Sequence, residues 1–181
     1  MELVVTGVRL PGNMEALVEE ARARLFHEHG ILTARSAFPF YALRVDEEPL
    51  PVSVLEGARK GGFLPFRGGL VRREGDLLVL PTLPPDPWDS LRRWLEGTAG
   101  AQGPWPHWLP GTGFFIAVRE KAPPPLEPLA GRTIKAPILF SALFDWEDGE
   151  EPWRAVRWKV LWQKPLFKHH VRKGVLPDEV V

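Results

Sequence analysis

The sequence predicts an α+β chain that runs through one structural motif twice, giving an internally duplicated, two-lobed fold. Two observations carry this. First, the strand-like segment Phe38-Pro-Phe-Tyr-Ala-Leu-Arg-Val45 has a counterpart in Thr112-Gly-Phe-Phe-Ile-Ala-Val-Arg119. Second, an apolar run ending in Leu-Pro and leading into an amphipathic helix occurs twice, at Leu10-Pro11 and at Leu83-Pro84. The two halves align at an offset of 73 through the first strand and helix and of 74 afterwards. Phe40, Pro49, Pro51, Leu55, Gly57 and Phe66 then fall on Phe114, Pro123, Pro125, Leu129, Gly131 and Phe140. Shared physics of strand-helix-strand units could produce some of this matching; a duplication accounts for all of it.

The elements follow in order. Leu3–Leu10 is a β-branched apolar run stopped by Pro11-Gly12, which predicts a buried strand. Asn13 is an expected N-cap, Met14, Leu17, Val18, Ala21 and Leu25 supply one apolar helix face, and Gly30 is an expected C′ residue. Phe38–Val45 is the next strand, Val52–Lys60 a short helix, and Phe63–Val71 and Asp76–Leu80 two strands joined by a polar turn. Asp86-Pro-Trp-Asp89 predicts a second capped helix that ends at Gly97. A Gly/Pro/Trp loop through Trp105-Pro-His107 leads to the strand Thr112–Val118, and Pro137–Phe144 is the strand after it. In the last strand, alternation puts Val156, Trp158, Val160 and Trp162 on one face and Arg157 and Lys159 on the other. The boundaries expected are residues 1–74 for the first lobe, 75–165 for the second and 166–181 for a basic tail.

Composition sets limits. The 181 residues suit one compact domain. With no cysteine in the chain, disulfides, thiolate nucleophiles and cysteine-ligated zinc are excluded. Lys+Arg and Asp+Glu are both 23, so any basic surface is local. The segment Met-Glu-Leu-Val-Val-Thr has no basic n-region, and no apolar run reaches the ~18 residues of a membrane helix. A cytoplasmic location with no membrane partner is expected.

Strand, Leu-Pro, amphipathic helix and then repetition over about the same length resembles the 2′-5′ RNA ligase-like proteins of the two-histidine phosphoesterase superfamily. The resemblance covers roughly residues 2–165 and implies antiparallel sheets flanking a central cleft, with helices outside. It also implies two His-x-Thr/Ser motifs, in which one imidazole takes a proton, the other returns one, and the hydroxyls hold a phosphate. Those motifs fall near Phe38-Pro-Phe40 and Thr112-Gly-Phe114, and neither contains histidine. The resemblance therefore implies a degenerate member, leaning away from catalysis, that binds an RNA end, nucleotide or phosphate ester in the cleft. Arg35, Ser36, Phe38, Phe40 and Phe114 are the expected ligand contacts. The alternatives are an altered phosphoesterase using His107 with Thr112, and a tandem ferredoxin-like RNA-binding scaffold without activity.

Other features are weighed on their chemistry. His27 and His29 complement a helix C-terminus, and their spacing puts them on different faces. His169-His170 has no carboxylate nearby, so no metal site and no cofactor is expected. Asp145–Glu151 reads as a solvated hairpin tip. Lys164, Lys168, Arg172 and Lys173 lie beyond the alternation of the last strand and are candidates for phosphate contacts to RNA. The competing expectation packs the tail through Leu166, Phe167 and Val171. No dinucleotide fingerprint, phosphate loop, zinc-protease motif or nucleophile elbow is present.

Overall fold

The computed structural model describes residues 1–31, 38–118, 125–147, 153 and 156–167. The elements are β1 (Glu2–Arg9), α1 (Gly12–His29), β2 (Phe40–Asp46), α2 (Val52–Lys60), β3 (Phe66–Gly68), β4 (Arg72–Glu74) and β5 (Leu77–Leu80). They continue with β6 (Thr82–Leu83), α3 (Asp89–Ala99), β7 (Phe114–Val118), β8 (Thr133–Ile134), β9 (Ile138–Asp145) and β10 (Arg157–Pro165). None of these helices is long and apolar enough to cross a membrane.

The helices form close to the expected positions, with shifted ends. α1 starts at Gly12, and Pro11 in extended conformation occupies the cap position in place of Asn13. At its other end Gly30 is left-handed, φ 63°; its N–H donates to Phe26 O at 3.0 Å and the Ile31 N–H to Leu25 O at 3.1 Å, as a glycine C-cap should. α3 starts two residues past Pro87 and continues beyond Gly97 to Ala99. Trp88 is fully buried, 4.8 Å from the Phe66 ring and 5.1 Å from Tyr41. Seating that indole in the core holds the chain out of helical register at Asp86–Trp88.

All strand pairings are antiparallel. One sheet has the order β10-β9-β1-β2; the others are β6-β3-β8 and β4-β5-β7. The last two are halves of one interrupted ladder. Only Gly69–Val71 separates β3 from β4 and only Pro81 separates β5 from β6, and the Gly69 N–H donates to the Pro81 carbonyl at 2.9 Å between them. The second layer thus repeats the first, in the order β8, β3/β4, β6/β5, β7. However, the stretches 1–74 and 75–165 are not the two layers: the first layer takes β9 and β10 from the second stretch, and the second takes β3 and β4 from the first.

The repeat is visible in the backbone. Along β1 the partner changes from Arg44 to Ala42, leaving Leu43 unpaired; along β5 it changes from Ala117 to Phe115, leaving Ile116. These bulges are equivalent, and Ile116 stands 73 positions after Leu43. The offset expected for these strands was 74, which equated Phe40 with Phe114. The structure equates Tyr41 with Phe114, their rings 5.7 Å apart. A slip of one residue reverses every side chain of a strand, and Phe40 and Phe114 indeed belong to different cores.

The bulged carbonyls are used. Ile116 O accepts from Arg22 Nε of α1 at 2.8 Å, and Leu43 O accepts from Arg92 Nη1 of α3 at 3.2 Å. Each half therefore sends a helix arginine to the bulge of the other. Arg22, only 2% exposed, also donates to Phe115 O at 3.1 Å and to Glu19 at 2.9 Å.

One core unites α1, α2 and α3 with Tyr41, Leu43, Phe114 and Ile116. The other contains no residue of these helices and holds Phe40, Ala42, Phe115, Phe140 and Phe144. Val160 and Trp158 of β10 pack on this second core, whereas Trp162 packs on the first. The expected common face is broken because β10 skips Leu161: Val160 pairs with Ala142 and Trp162 with Ser141, a bulge that turns the strand over.

Arg22→Ala is expected to cost roughly 1–3 kcal/mol for each carbonyl left buried without a donor. Arg93→Ala, which removes an exposed pair with Asp89, should cost under about 1 kcal/mol. Denaturant melts of both variants check this; equal losses would contradict the role given to Arg22.

Candidate ligand site between the sheets

The face of the sheets away from the helices is where a cleft between the layers would open. On β2 it carries Phe40 and Ala42, and at the equivalent positions of the β7 segment it carries Gly113 and Phe115. Phe40 and Phe115 are both fully buried. The Phe40 ring lies 5.5 Å from Phe144, 5.8 Å from Phe140, 6.1 Å from Phe115 and 6.2 Å from Trp153. Trp153 stacks on Phe115 at 4.1 Å, and its indole N–H donates to Trp108 O at 2.7 Å. Trp108 in turn meets Trp146 at 4.9 Å. Gly7 makes this packing possible, since a Cβ there would sit 2.4 Å from Tyr41 O and 3.0 Å from the Phe140 ring. Tryptophans between β9 and β10 and before β7 thus close the middle of the face with aromatic rings.

The expected site residues distribute as follows. Phe40 and Phe114 are core residues on opposite faces, so burial removes both from ligand contact. Phe38 lies at the rim, covered by the Arg9 guanidinium 3.8 Å above its ring and by Trp158 at 4.5 Å. Arg9 is held there by both oxygens of Glu15, at 2.8 and 3.1 Å, and by Gln163 at 3.0 Å. Arg35 and Ser36 lie outside the described residues. His107 is exposed on the loop before β7, and no hydrogen bond joins it to Thr112 among the described residues. The Thr112 hydroxyl instead donates to Glu74 and accepts from Arg72 at 3.0 Å, while the Gly111 N–H reaches the other Glu74 oxygen at 3.0 Å. Sequence reasoning missed Arg9, Glu74, Phe115 and Trp153. Only Phe115 had a local signal, as the second ring of Gly-Phe-Phe.

The tail begins by packing. Leu166 is buried in the helix-side core, and its N–H donates to Pro137 O at 2.9 Å. Phe167 sits against the Arg59 guanidinium at 4.6 Å. Lys164 is engaged with Glu56 at 2.5 Å, and Glu56 also accepts from Arg59 at 2.7 Å. Val171, Lys168, Arg172 and Lys173 lie outside the described residues. Among the described residues no cluster of His, Asp and Glu has the spacing of a metal site.

Two expectations follow. Trp153→Ala should cost about 3–5 kcal/mol and expose apolar surface to a dye such as ANS; a stable variant without dye binding would contradict the closure of the face. The bonds from Lys164, then Arg59, hold the Glu56 carboxylate below the usual carboxylate range. The stability they contribute is present above the unfolded-state value and is lost as pH falls through the folded one. NMR titration should show the Glu56 midpoint rising in Lys164→Ala.

No protein-family model and no curated protein matches the sequence. Solved structures do match. TT0787 of Thermus thermophilus is 18% identical, covers 94% of this chain and 100% of its own, and has a TM-score of 0.54. A protein described as a phosphoesterase is 13% identical over 93% of this chain and 100% of its own, with a TM-score of 0.60. E. coli LigT complexed with 3′-AMP is 13% identical over 92% of this chain and 99% of its own, with a TM-score of 0.58. These matches span 92–94% of the chain: it has the fold that TT0787, the phosphoesterase and LigT share.

Proposed function

We propose that the chain is a non-hydrolytic protein of this fold that binds a phosphate ester, a nucleotide or an RNA end. The observation that carries the proposal is the side-chain set facing the space between the layers. Phosphoester cleavage by paired imidazoles requires one group to accept a proton and another to donate one. At the equivalent strand positions this chain has Phe40, Ala42, Gly113 and Phe115, which can do neither. His107, the histidine nearest in sequence to either segment, has no hydrogen bond to the Thr112 hydroxyl, which Glu74 and Arg72 already occupy.

The ligand class is argued from two sides. LigT has been crystallised with 3′-AMP, NADP+, ATP and phosphate. In this chain polar groups remain at the rim of the aromatic centre, among them Arg9 over Phe38 and Arg72 beside Thr112 and Glu74. A guanidinium suits a phosphate oxygen, and Arg72 gives the Thr112 hydroxyl only one of its N–H groups. Binding at the rim, outside the filled centre, is the form of cleft binding that fits the packing.

Pure protein should leave 2′,3′-cyclic nucleotides intact, because proton transfer by positioned groups accounts for roughly 100- to 10,000-fold each and both groups are missing. Isothermal titration with 3′-AMP should show binding that weakens in Arg72→Ala. Turnover of a cyclic phosphate that disappears in His107→Ala would overturn the proposal in favour of an altered catalytic site.

A further inference from the structure

A pocket of about 470 Å³ lies between the C-terminal half of α3 and β2, the edge strand of the first sheet. It borders the helix-side core through Leu43 and Leu95, apart from the aromatic centre, and its volume is that of a small-molecule site. Its shape is fixed by hydrogen bonds within the chain. The Gly103 N–H donates to Val45 O at 2.9 Å, which lays the segment after α3 along the free edge of β2. Arg44, only 3% exposed, ties the same segment by donating to Gly100 O at 2.8 Å and Ala101 O at 3.0 Å. Its guanidinium is held in turn by the Asp46 carboxylate, at 2.7 to 2.9 Å. A pocket formed in advance costs a ligand little ordering.

The charges on its wall are unusually placed. Arg92 and Glu96 both line the pocket and stand one turn apart on α3, a spacing at which opposite charges commonly pair. Here Arg92 is drawn instead to Asp86 and to Leu43 O, each at 3.2 Å, and Glu96 forms no ion pair among the described residues. A guanidinium has five N–H groups. Arg92 commits two of them, and Arg44 keeps one Nη1 N–H beyond the one given to Gly100 O. The pocket thus offers spare donors at one point and an unmet carboxylate a helical turn away. A polyanion such as a nucleotide would meet Glu96 and the negative end of α3, beside arginines that already hold Asp46 and Asp86. A simple amine would satisfy Glu96 and leave the guanidinium donors unused. A simple carboxylate would do the reverse and bring a second negative charge beside Glu96. A zwitterion meets both needs without adding net charge.

We propose that this pocket binds a free α-amino acid with an aliphatic side chain. The ligand carboxylate accepts from Arg92 and from the spare Arg44 N–H, its ammonium donates to Glu96, and its side chain lies against Leu43 and Leu95. Both arginines keep their own carboxylate partners, so no bond of the fold is given up on binding. The site is separate from the rim at Arg72 and Thr112, and goes beyond the phosphate-ester reading.

The test is an NMR titration of the full chain with L-leucine into the millimolar range, run beside isocaproate, which lacks the ammonium, and L-leucinamide, which lacks the carboxylate. Leucine should shift the amides of residues 43–44, 95–96 and 100–102, a readout that depends on no variant. Each analogue should bind at least about tenfold more weakly, as expected for one lost charge-assisted hydrogen bond. Glu96→Gln, at an exposed position, should weaken leucine by a similar factor without weakening isocaproate, which has no ammonium to lose. Glu20→Gln, which removes an exposed carboxylate of α1, should bind leucine like the wild type. No shifts with leucine, shifts centred elsewhere, an analogue that binds as tightly as leucine, or an equal loss in the two variants each overturns the proposal. So does a Glu96→Gln variant that weakens isocaproate as much as leucine, since Glu96 would then act on the fold alone. Movement of the same amides by 3′-AMP would overturn it too, by making the pocket a phosphate site.

Discussion

The architecture depends on the seam where β2 and β7 approach each other, and on the two arginines that cross it. A β-bulge takes one residue out of its ladder and leaves that residue's carbonyl needing a donor in a buried place. The chain answers this twice in the same way: Arg22 of α1 donates to Ile116 O, and Arg92 of α3 donates to Leu43 O. A buried guanidinium is costly to desolvate unless its donors are met. Burial does lower the pKa of Arg22, with Glu19 opposing that shift. The bulges and the arginines therefore require one another. Together they fix which face of β2 and β7 meets the helices and which faces away.

That choice determines what the space between the layers can hold. Once Tyr41 and Phe114 face the helices, Phe40 and Phe115 must face the opposite way. There they meet Phe140, Phe144 and Trp153. Aromatic side chains bury large areas and gain further from edge-to-face and offset contacts, so this set closes on itself and excludes solvent. A polar active site in the same place would require those strands to carry histidine and hydroxyl groups. The fold is shared with enzymes, but function resides in the side chains mounted on it, and here the central ones are apolar.

Polar chemistry is consequently displaced to the margins. At one margin Arg9 is sandwiched between Phe38 and the Glu15 carboxylate; at another the Thr112 hydroxyl links Arg72 to Glu74. Arg44 binds the Asp46 carboxylate and the carbonyls of Ala99, Gly100 and Ala101 at the end of α3, where the helix dipole favours a cation.

By itself, the sequence determined the α+β class, the repetition of strand and helix, the glycine cap at Gly30 and the absence of an imidazole from both strand segments. Each follows from local rules: periodicity, capping chemistry and residue identity. Tertiary structure alone decided the rest. A bulge leaves no mark in the residue pattern, so strict alternation put Trp162 on the face of Val160 although β10 skips Leu161; matching by residue identity favoured the offset of 74 that placed Phe40 opposite Phe114, and an error of one position inverts a strand. The exchange of β3/β4 and β9 between layers is equally silent in sequence, since either pairing satisfies the same apolar strands. Thr112 had a hydroxyl suited to phosphate. That its partners are Glu74 and Arg72 depends on how β4 meets the entry to β7, a contact between residues nearly forty positions apart that only packing could bring together.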